Sequence, residues 1–181
     1  MRAWLLRPAL CAVAAAFALS AAPAHAQASE DAVKAAFLPK FARYMELPSA
    51  ARPAPGQPFY LCLIGRDPFR ALVDRSAGSE TIEGHPVAVR RFANTDNAAV
   101  AGCNIAFVSG AKDAATLQML AVLGRQSTLT VTDARWGNAR GMIHFAIVDG
   151  RVRFYVDQAS ASARGISISS RLLALAVGVK Q

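Results

Sequence analysis

The stretch GMIHFAIVDGRVRFYVD, residues 141–157, decides the fold class of this chain. It holds two runs rich in β-branched and aromatic residues, Met142–Val148 and Val152–Asp157, with Asp149 and Gly150 between them. Asp-Gly between two such runs is the strongest local signal for a β-hairpin, because glycine readily adopts the positive φ of a tight turn. Two strands joined this closely are antiparallel, so the sequence predicts an antiparallel hairpin near the C-terminal end.

Upstream of the hairpin, short apolar strands alternate with helical segments. The predicted strands are Phe59–Ile64, Pro86–Phe92, Asn104–Ser109 and Leu129–Thr132. Strands that are apolar on both faces and alternate with helices are typical of a parallel sheet covered on both sides. The sequence therefore predicts a single compact α/β domain with a mixed, mostly parallel sheet, a C-terminal antiparallel hairpin and helices on both faces.

Four helices are predicted from apolar spacing and capping signals. Ser29 is a plausible N-cap of the first helix, and Pro39 is expected to kink or split it. Asp67 can cap the second helix, with Pro68 at its first position. The predicted helices are Ser29–Leu47, Phe69–Ser76, Ala111–Leu123 and Ser169–Gly178.

The N-terminal end has the pattern of a secretory signal peptide. Arg2 and Arg7 form a basic region, Leu10–Leu19 is an apolar run, and Ala24-His25-Ala26 is a cleavage site of the A-x-A type. The apolar run is short for a membrane span. We expect residues 1–26 to be removed and residues 27–181 to form one secreted domain.

The charge pattern argues against a nucleic-acid partner. The 181 residues include 20 Lys and Arg against 12 Asp and Glu, a formal net charge of +8. No segment concentrates the basic residues or interleaves them with aromatic side chains, as nucleic-acid surfaces do. A mildly basic surface suits an anionic cell envelope better.

Two cysteines, Cys62 and Cys103, remain in the predicted mature chain. In a secreted protein they can form a disulfide that leaves no free thiol, and the alternative is two small buried apolar side chains. If the first and third strands were flush neighbours, Cys62 would lie about three residues further along its strand than Cys103. Bridge geometry then requires a staggered or locally distorted link.

The sequence contains no convincing catalytic constellation. The mature chain has two histidines, His85 at a strand start and His144 within an apolar strand. A triad of Ser169 or Ser170 with His144 and Asp133 can be written down, but no nucleophile elbow supports it. Neither metal-ligand spacing nor a phosphate or dinucleotide motif is present. We therefore expect no enzymatic activity, no metal and no cofactor.

The second hairpin strand has two chemically different faces. Alternation places Arg151, Arg153 and Tyr155 on one face and the intervening apolar residues on the other. An edge strand is either protected from aggregation by charge or used to pair with a partner. We expect this strand to be an edge of the sheet.

Several segments together resemble the YfiR family of periplasmic proteins. They cover nearly the whole mature chain in the same order and at similar spacing. They are VKAAFLPKFARYMELP (residues 33–48), LCLIGRDPF (61–69), IEGHPVAVRRF (82–92), CNIAFVS (103–109), LTVTDARWGNARGMIHFAIVDGRVRFYVD (129–157) and GISISSRLLALA (165–176). The chain departs from the family pattern at His144, where the family usually has Asn, and at Asp157, another Asn position.

The resemblance implies a regulatory role. It implies a periplasmic protein that binds the periplasmic sensor domain of a membrane-bound diguanylate cyclase, represses cyclic di-GMP synthesis and limits biofilm formation. It also implies a homodimer and a disulfide between Cys62 and Cys103. The alternative is a periplasmic small-molecule-binding sensor that acts on another envelope signalling protein, such as a histidine kinase.

A surface formed by the hairpin and the start of the last helix is the predicted docking site for a partner or a small effector. Aromatic and arginine side chains are the usual anchors of such interfaces. The candidate residues are Asp133, Trp136, His144, Arg153, Tyr155, Asp157 and Arg171.

Overall fold

The computed structural model describes residues 22–96 and 98–181, and the side chains from residue 30 onward. Most of the predicted signal peptide, residues 1–21, lies outside the described residues. The strands are β1 Met45–Glu46, β2 Phe59–Gly65, β3 Thr81–Ile82, β4 His85–Phe92, β5 Ile105–Ser109, β6 Leu129–Asp133, β7 Ile143–Val148, β8 Arg151–Asp157, β9 Ser167–Ile168 and β10 Gly178–Lys180. The α-helices are α1 Ala22–Phe41, α2 Ala71–Gly78, α3 Asp113–Leu123, α4 Gln158–Ser162 and α5 Ser170–Leu173.

Eight of these strands form one mixed sheet in the order β10-β8-β7-β6-β5-β2-β4-β3. The five central strands, β4, β2, β5, β6 and β7, run parallel to one another. On either side of them, β8 is antiparallel to β7 and β3 is antiparallel to β4. The short strands β1 and β9 form a separate antiparallel pair. The predicted fold class is confirmed, and the six strands predicted in the sheet lie within two residues of their predicted bounds.

The hairpin has the predicted two-residue turn. Val148 pairs with Arg151 at its closed end, and Ile143 pairs with Val156 at its open end. Asp149 and Gly150 have φ values of 49° and 69°, as a type I′ turn requires. The turn matches the right-handed twist of the strands, so the local sequence sets the register of both.

Alternation along the strands divides the core between the two faces of the sheet. In β2, Leu61 and Leu63 belong to the larger apolar cluster, whereas Cys62 and Ile64 belong to the smaller one. Helices α1 and α2 cover the larger cluster, and α3 covers the smaller one. The sheet is therefore buried on both faces, as its continuous apolar strands predicted.

The first helix differs from its prediction at both ends. It begins at Ala22, so Ser29 lies inside it and is not an N-cap, and it ends at Phe41. A 3₁₀ helix covers Ala42–Tyr44 before β1 begins. The helix continues through Pro39 although this proline removes one backbone hydrogen bond. The burial of Leu38 and Phe41 on either side of it compensates for that loss. Tertiary packing outweighs the local break.

The second helix begins at Ala71, so the predicted start around Pro68 and Phe69 is wrong. The carboxylate of Asp67 accepts hydrogen bonds from the backbone N–H groups of Phe69 and Arg70 at 2.8 and 2.9 Å. These bonds form a turn before the helix begins, and Arg70 in that turn has a φ of 48°, which is not helical. Asp67 caps a turn and not the first helical residues.

The predicted C-terminal helix, Ser169–Gly178, is wrong after its first turn. Helix α5 ends at Leu173, and the chain returns as β10, which runs parallel to β8 with Val179 opposite Val156. Strand β8 is therefore not an edge over Tyr155–Asp157. The unpaired backbone N–H and C=O groups of β8 can be satisfied by a neighbouring strand but not by a helix. This pairing overrides the helical propensity of the C-terminal residues.

The Cys62–Cys103 disulfide is present, with a Cα–Cα distance of 5.8 Å. Cys62 pairs with Ala106 in the sheet register, and Cys103 precedes Ala106 by three residues. This is the offset expected for two strands with flush ends. Cys103 lies outside β5, directly after a 3₁₀ helix, Ala98–Gly102. Because its backbone is not held in the strand ladder, its Cα can approach Cys62. Both cysteines are buried within the smaller cluster.

The disulfide should make the free energy of unfolding sensitive to reductant. It joins residues 41 positions apart, and loop-closure entropy gives an upper value of about 4 kcal/mol for its contribution. We expect urea unfolding of the wild-type protein to shift to lower denaturant when reductant is added. The variant in which Cys62→Ala and Cys103→Ala are combined should show no such shift. Equal curves for the wild-type protein in both conditions would contradict a stabilising bridge.

Candidate functional site

The carboxyl ends of the central strands are closed by backbone. Strand addition reverses between β2 and β5, the point at which open α/β sheets usually bind ligands. Here Arg66 N donates to Ser109 O at 2.8 Å, and a β-carbon at Gly65 would overlap that same oxygen. The ends of β2 and β5 are therefore in direct backbone contact at the point where a ligand crevice would open.

A buried ion cluster connects α1 to the end of β6. Lys34 is fully buried, and its Nζ donates to Asp133 Oδ2 at 2.7 Å and to Glu30 Oε1. Asp133 is 3% exposed. An ammonium group in the interior requires paired carboxylates, because desolvation of an isolated charge is very costly. Asp133, a predicted site residue, therefore has a direct role in attaching α1.

Arg135 contacts this cluster through Asp133. Its backbone N–H donates to Asp133 Oδ1 at 3.0 Å, and its Nη2 lies 2.7 Å from Asp31 Oδ1. Among the described residues neither that oxygen nor the guanidinium nitrogens have a hydrogen-bond partner, so the contact is an ion pair. Three buried guanidinium nitrogens thus retain unused donor capacity at this end of the sheet.

Trp136 is half-buried and lies next to two guanidinium groups. Its ring lies 4.7 Å from the Arg135 guanidinium and 5.0 Å from that of Arg66, measured from ring centroid to Cζ. Arg66 is held in place because it donates to Ala111 O at 2.8 Å. Among the described residues, Trp136 Nε1 has no hydrogen-bond partner. The arrangement is a cation–π stack with a partly exposed aromatic face.

His144 is on the opposite face of the sheet from Asp133 and is 3% exposed. Its Nδ1 lies 2.8 Å from the hydroxyl of Thr132, and that hydroxyl accepts a hydrogen bond from Gly141 N at 2.8 Å. Burial lowers the pKa of His144, the nearby charges of Arg140 and Lys34 lower it further, and Asp133 opposes them. The side chain is a neutral interior histidine held by its neighbouring strand.

Tyr155 is the register partner of His144 and lies on the same face, with the Arg140 guanidinium 5.2 Å from its ring centroid. Asp157 caps α4 by accepting from Ser160 N at 2.8 Å and also pairs with Lys180 at 2.9 Å. Burial raises the pKa of Asp157, but the bonds from Ser160 and Lys180 outweigh it and hold that pKa below its usual value.

Arg153 and Arg171 are both exposed. Within the described part of the chain, neither guanidinium has a hydrogen-bond or ion-pair partner. Arg153 lies on β8 and Arg171 on α5. The structure brings His144 and Tyr155 side by side, but it does not gather all seven predicted residues into one cluster, because Asp133 and His144 face opposite sides of the sheet.

Sequence reasoning missed the four cations that organise these residues. They are Lys34, Arg66, Arg135 and Arg140. For Lys34 a signal was present, because it lies on the same helical stripe as Leu38 and Phe41, with Glu30 four residues earlier. No comparable signal identifies Arg66 or Arg140, since their contacts join segments that are distant in sequence, and the contact of Arg135 with Asp31 is likewise distant.

No described group of three or more His, Cys, Asp and Glu side chains is close enough to hold a metal ion. Among the described helices, none combines the length and the apolar character that crossing a membrane requires.

Comparison with known proteins identifies one relationship. A family model described as YfiR/HmsC-like matches residues 31–177, which is most of the chain. No curated protein matches the chain.

The buried ion cluster yields a stability prediction. Lys34→Met leaves Asp133 and Glu30 without their ammonium partner, and breaking a buried pair in this way costs about 3–5 kcal/mol. Lys40→Met, at an exposed position on the same helix, should change the free energy of unfolding by less than about 0.5 kcal/mol. Urea unfolding of both variants measures the difference, and a similar small loss for both would show that the buried cluster contributes nothing specific.

His144 yields a prediction for pH dependence. Its pKa is lowered in the folded state, whereas the unfolded chain has the ordinary value of about 6.5. Between the two values the unfolded chain binds more protons, so stability should fall as the pH drops below about 6.5 and level off below the folded pKa. We expect His144→Asn to flatten this dependence in unfolding experiments between about pH 5 and 7.5.

The control for that experiment is His85→Asn, at the start of β4 and away from the Thr132 contact. This variant removes an imidazole and leaves the Thr132 contact intact, so its profile is the reference for His144→Asn. If the two variants have the same profile, His144 is not the cause of the pH dependence.

Proposed function

Because the chain belongs to the YfiR/HmsC-like family, we propose that it is a periplasmic regulator that represses a membrane-bound diguanylate cyclase. It binds the periplasmic sensor domain of the cyclase and keeps cyclic di-GMP synthesis, and therefore biofilm formation, low. The family match over residues 31–177 carries this proposal. The predicted signal peptide supports export, and the regulator acts as a homodimer without catalysis.

The surface chemistry supports docking. Arg153 and Arg171 are exposed, with donors that no described residue uses, and Trp136 presents part of an aromatic ring beside two cations. Tryptophan, tyrosine and arginine dominate binding energy at protein interfaces. An acidic or carbonyl-rich surface on the cyclase sensor domain is the complementary partner.

The seven candidate residues divide into two roles under this proposal. Asp133 and His144 are each 3% exposed, so they position neighbouring groups and do not touch the partner. The partner contacts the remaining candidates, which are exposed or half-buried. These are Trp136, Arg153, Tyr155, Asp157 and Arg171.

A second candidate function has support from one cleft. A cleft of about 270 Å³ lies at the amino ends of β2, β5 and β6, with Tyr60, Asn104, Gln126 and Thr128 among its lining residues. This volume is close to the lower end of small-molecule sites. It favours a sensor that binds a small molecule and acts on another envelope protein, such as a histidine kinase. A saturable thermal shift with one metabolite would favour this alternative.

Affinity capture tests the proposed function. The purified secreted protein is immobilised and exposed to detergent-solubilised envelope from its own cells. We expect a membrane-bound diguanylate cyclase to be retained, and cells lacking this protein to contain more cyclic di-GMP. Retention of no cyclase, together with unchanged cyclic di-GMP, would overturn the repressor role.

The same assay tests the surface. Arg153→Ala and Arg171→Ala should each weaken capture of the cyclase domain about tenfold or more, the effect of losing an interface anchor. Arg75→Ala removes another exposed arginine, on α2, and should leave the affinity unchanged. If all three variants bind like the wild-type protein, the two arginines are not part of the docking surface.

A further inference from the structure

A small cavity of about 90 Å³ lies between α3, the end of α4 and the segment that leads into β7. Its lining residues are Leu120, Gly124, Thr130, Arg140, Gly141, Met142, Ser160 and Arg164. From its donors and charges, we propose that this cavity binds one tetrahedral oxyanion, such as inorganic phosphate or the phosphoryl group of a larger molecule.

Arg164 is fixed in place by the backbone. Its Nε donates to Gly124 O at 2.9 Å, and its Nη1 donates to Ser160 O at 2.8 Å. These two bonds hold the planar guanidinium against the C-terminal end of α3 and against α4. Within the described residues its Nη2 has no acceptor, so Arg164 offers a pre-oriented charged donor on the cavity wall.

Arg140 supplies the second charge. Its guanidinium lies 5.2 Å from the centroid of the Tyr155 ring. In the described part of the chain none of its N–H groups has a hydrogen-bond acceptor, and the residue is exposed. Arginine is well suited to oxyanions because its planar fork can donate two parallel hydrogen bonds.

Thr130 adds a buried donor to the cavity wall. The residue is 5% exposed, and its Oγ1 accepts a hydrogen bond from Met142 N at 3.1 Å. With that lone pair occupied, its hydroxyl hydrogen has no described acceptor. A buried hydroxyl is satisfied when its hydrogen finds a partner, and an anion in the cavity would provide one.

The charge of the cavity lining favours an anion. Its lining includes two arginines and no carboxylate. The closest carboxylate along the chain, Asp157, already accepts from Ser160 N and pairs with Lys180. A volume of about 90 Å³ leaves room for several water molecules, so one small oxyanion fits.

An NMR titration tests this site on the isolated protein, so its result is independent of the cyclase proposal. Sodium phosphate is added at constant ionic strength while the backbone amides of Gly141, Met142 and Ser160 are followed. We expect saturable shifts at these amides. Arg140→Gln should weaken binding about tenfold or more, the effect of losing hydrogen bonds to a charged group, and Arg75→Gln should bind like the wild-type protein.

A second arm identifies the source of the phosphoryl group. Vesicles of phosphatidylglycerol are compared with vesicles of phosphatidylcholine in a sedimentation assay, again with both variants. Binding that depends on Arg140 in the phosphate arm assigns a soluble anion, and dependence only in the vesicle arm assigns a lipid headgroup. If neither arm shows saturable binding, or if Arg140→Gln binds as well as Arg75→Gln, the proposed site is overturned.

Discussion

The fully buried ammonium of Lys34 is the constraint on which the rest of this structure depends. A lysine of this kind is tolerated only where carboxylates are already in place, and Asp133 and Glu30 supply them. Because Asp133 ends β6 and Lys34 lies within α1, their contact fixes the position of the helix along the sheet. Phe41 of α1 then packs against Phe145 and Phe154 of the hairpin, at 5.5 and 5.3 Å between ring centroids.

The two faces of the sheet have different chemistry beneath and beside the hairpin. The face under α1 is apolar apart from the Lys34 cluster. On the other face, Thr130 and Thr132 bind the backbone of the segment 140–142, and His144 lies against Thr132. This polar face carries Tyr155, with the Arg140 guanidinium beside its ring, and it borders the small cavity. The hairpin therefore joins an apolar core to a polar, charged surface.

The local predictions that succeeded rest on short-range physics. The Asp149-Gly150 turn needs only the positive φ that its residues tolerate, and the strand runs are apolar because both faces are covered. The late start of α2 has a local cause in the turn capped by Asp67, whereas two other failures originate in long-range contacts. Helix α1 passes Pro39 because Leu38 and Phe41 are buried, and the end of the chain forms β10 because β8 presents unpaired backbone groups beside it. The candidate residues show the same division: their chemical types could be read from the sequence, whereas the burial of Asp133 and His144 could not.

The sequence by itself determined the α/β class, the hairpin and its register, and the resemblance to a regulatory family. It left the Cys62–Cys103 disulfide as one of two open interpretations. These properties depend on residue types, turns and periodicity, which act over a few positions. Only the tertiary structure decided that Lys34 meets Asp133 across 99 positions, that Arg66 stacks on Trp136, and that Arg140 and Arg164 share a cavity. Such contacts depend on how distant segments pack. Packing also buries the charged side chains, and their electrostatic interactions are stronger in the low dielectric of the interior than in water.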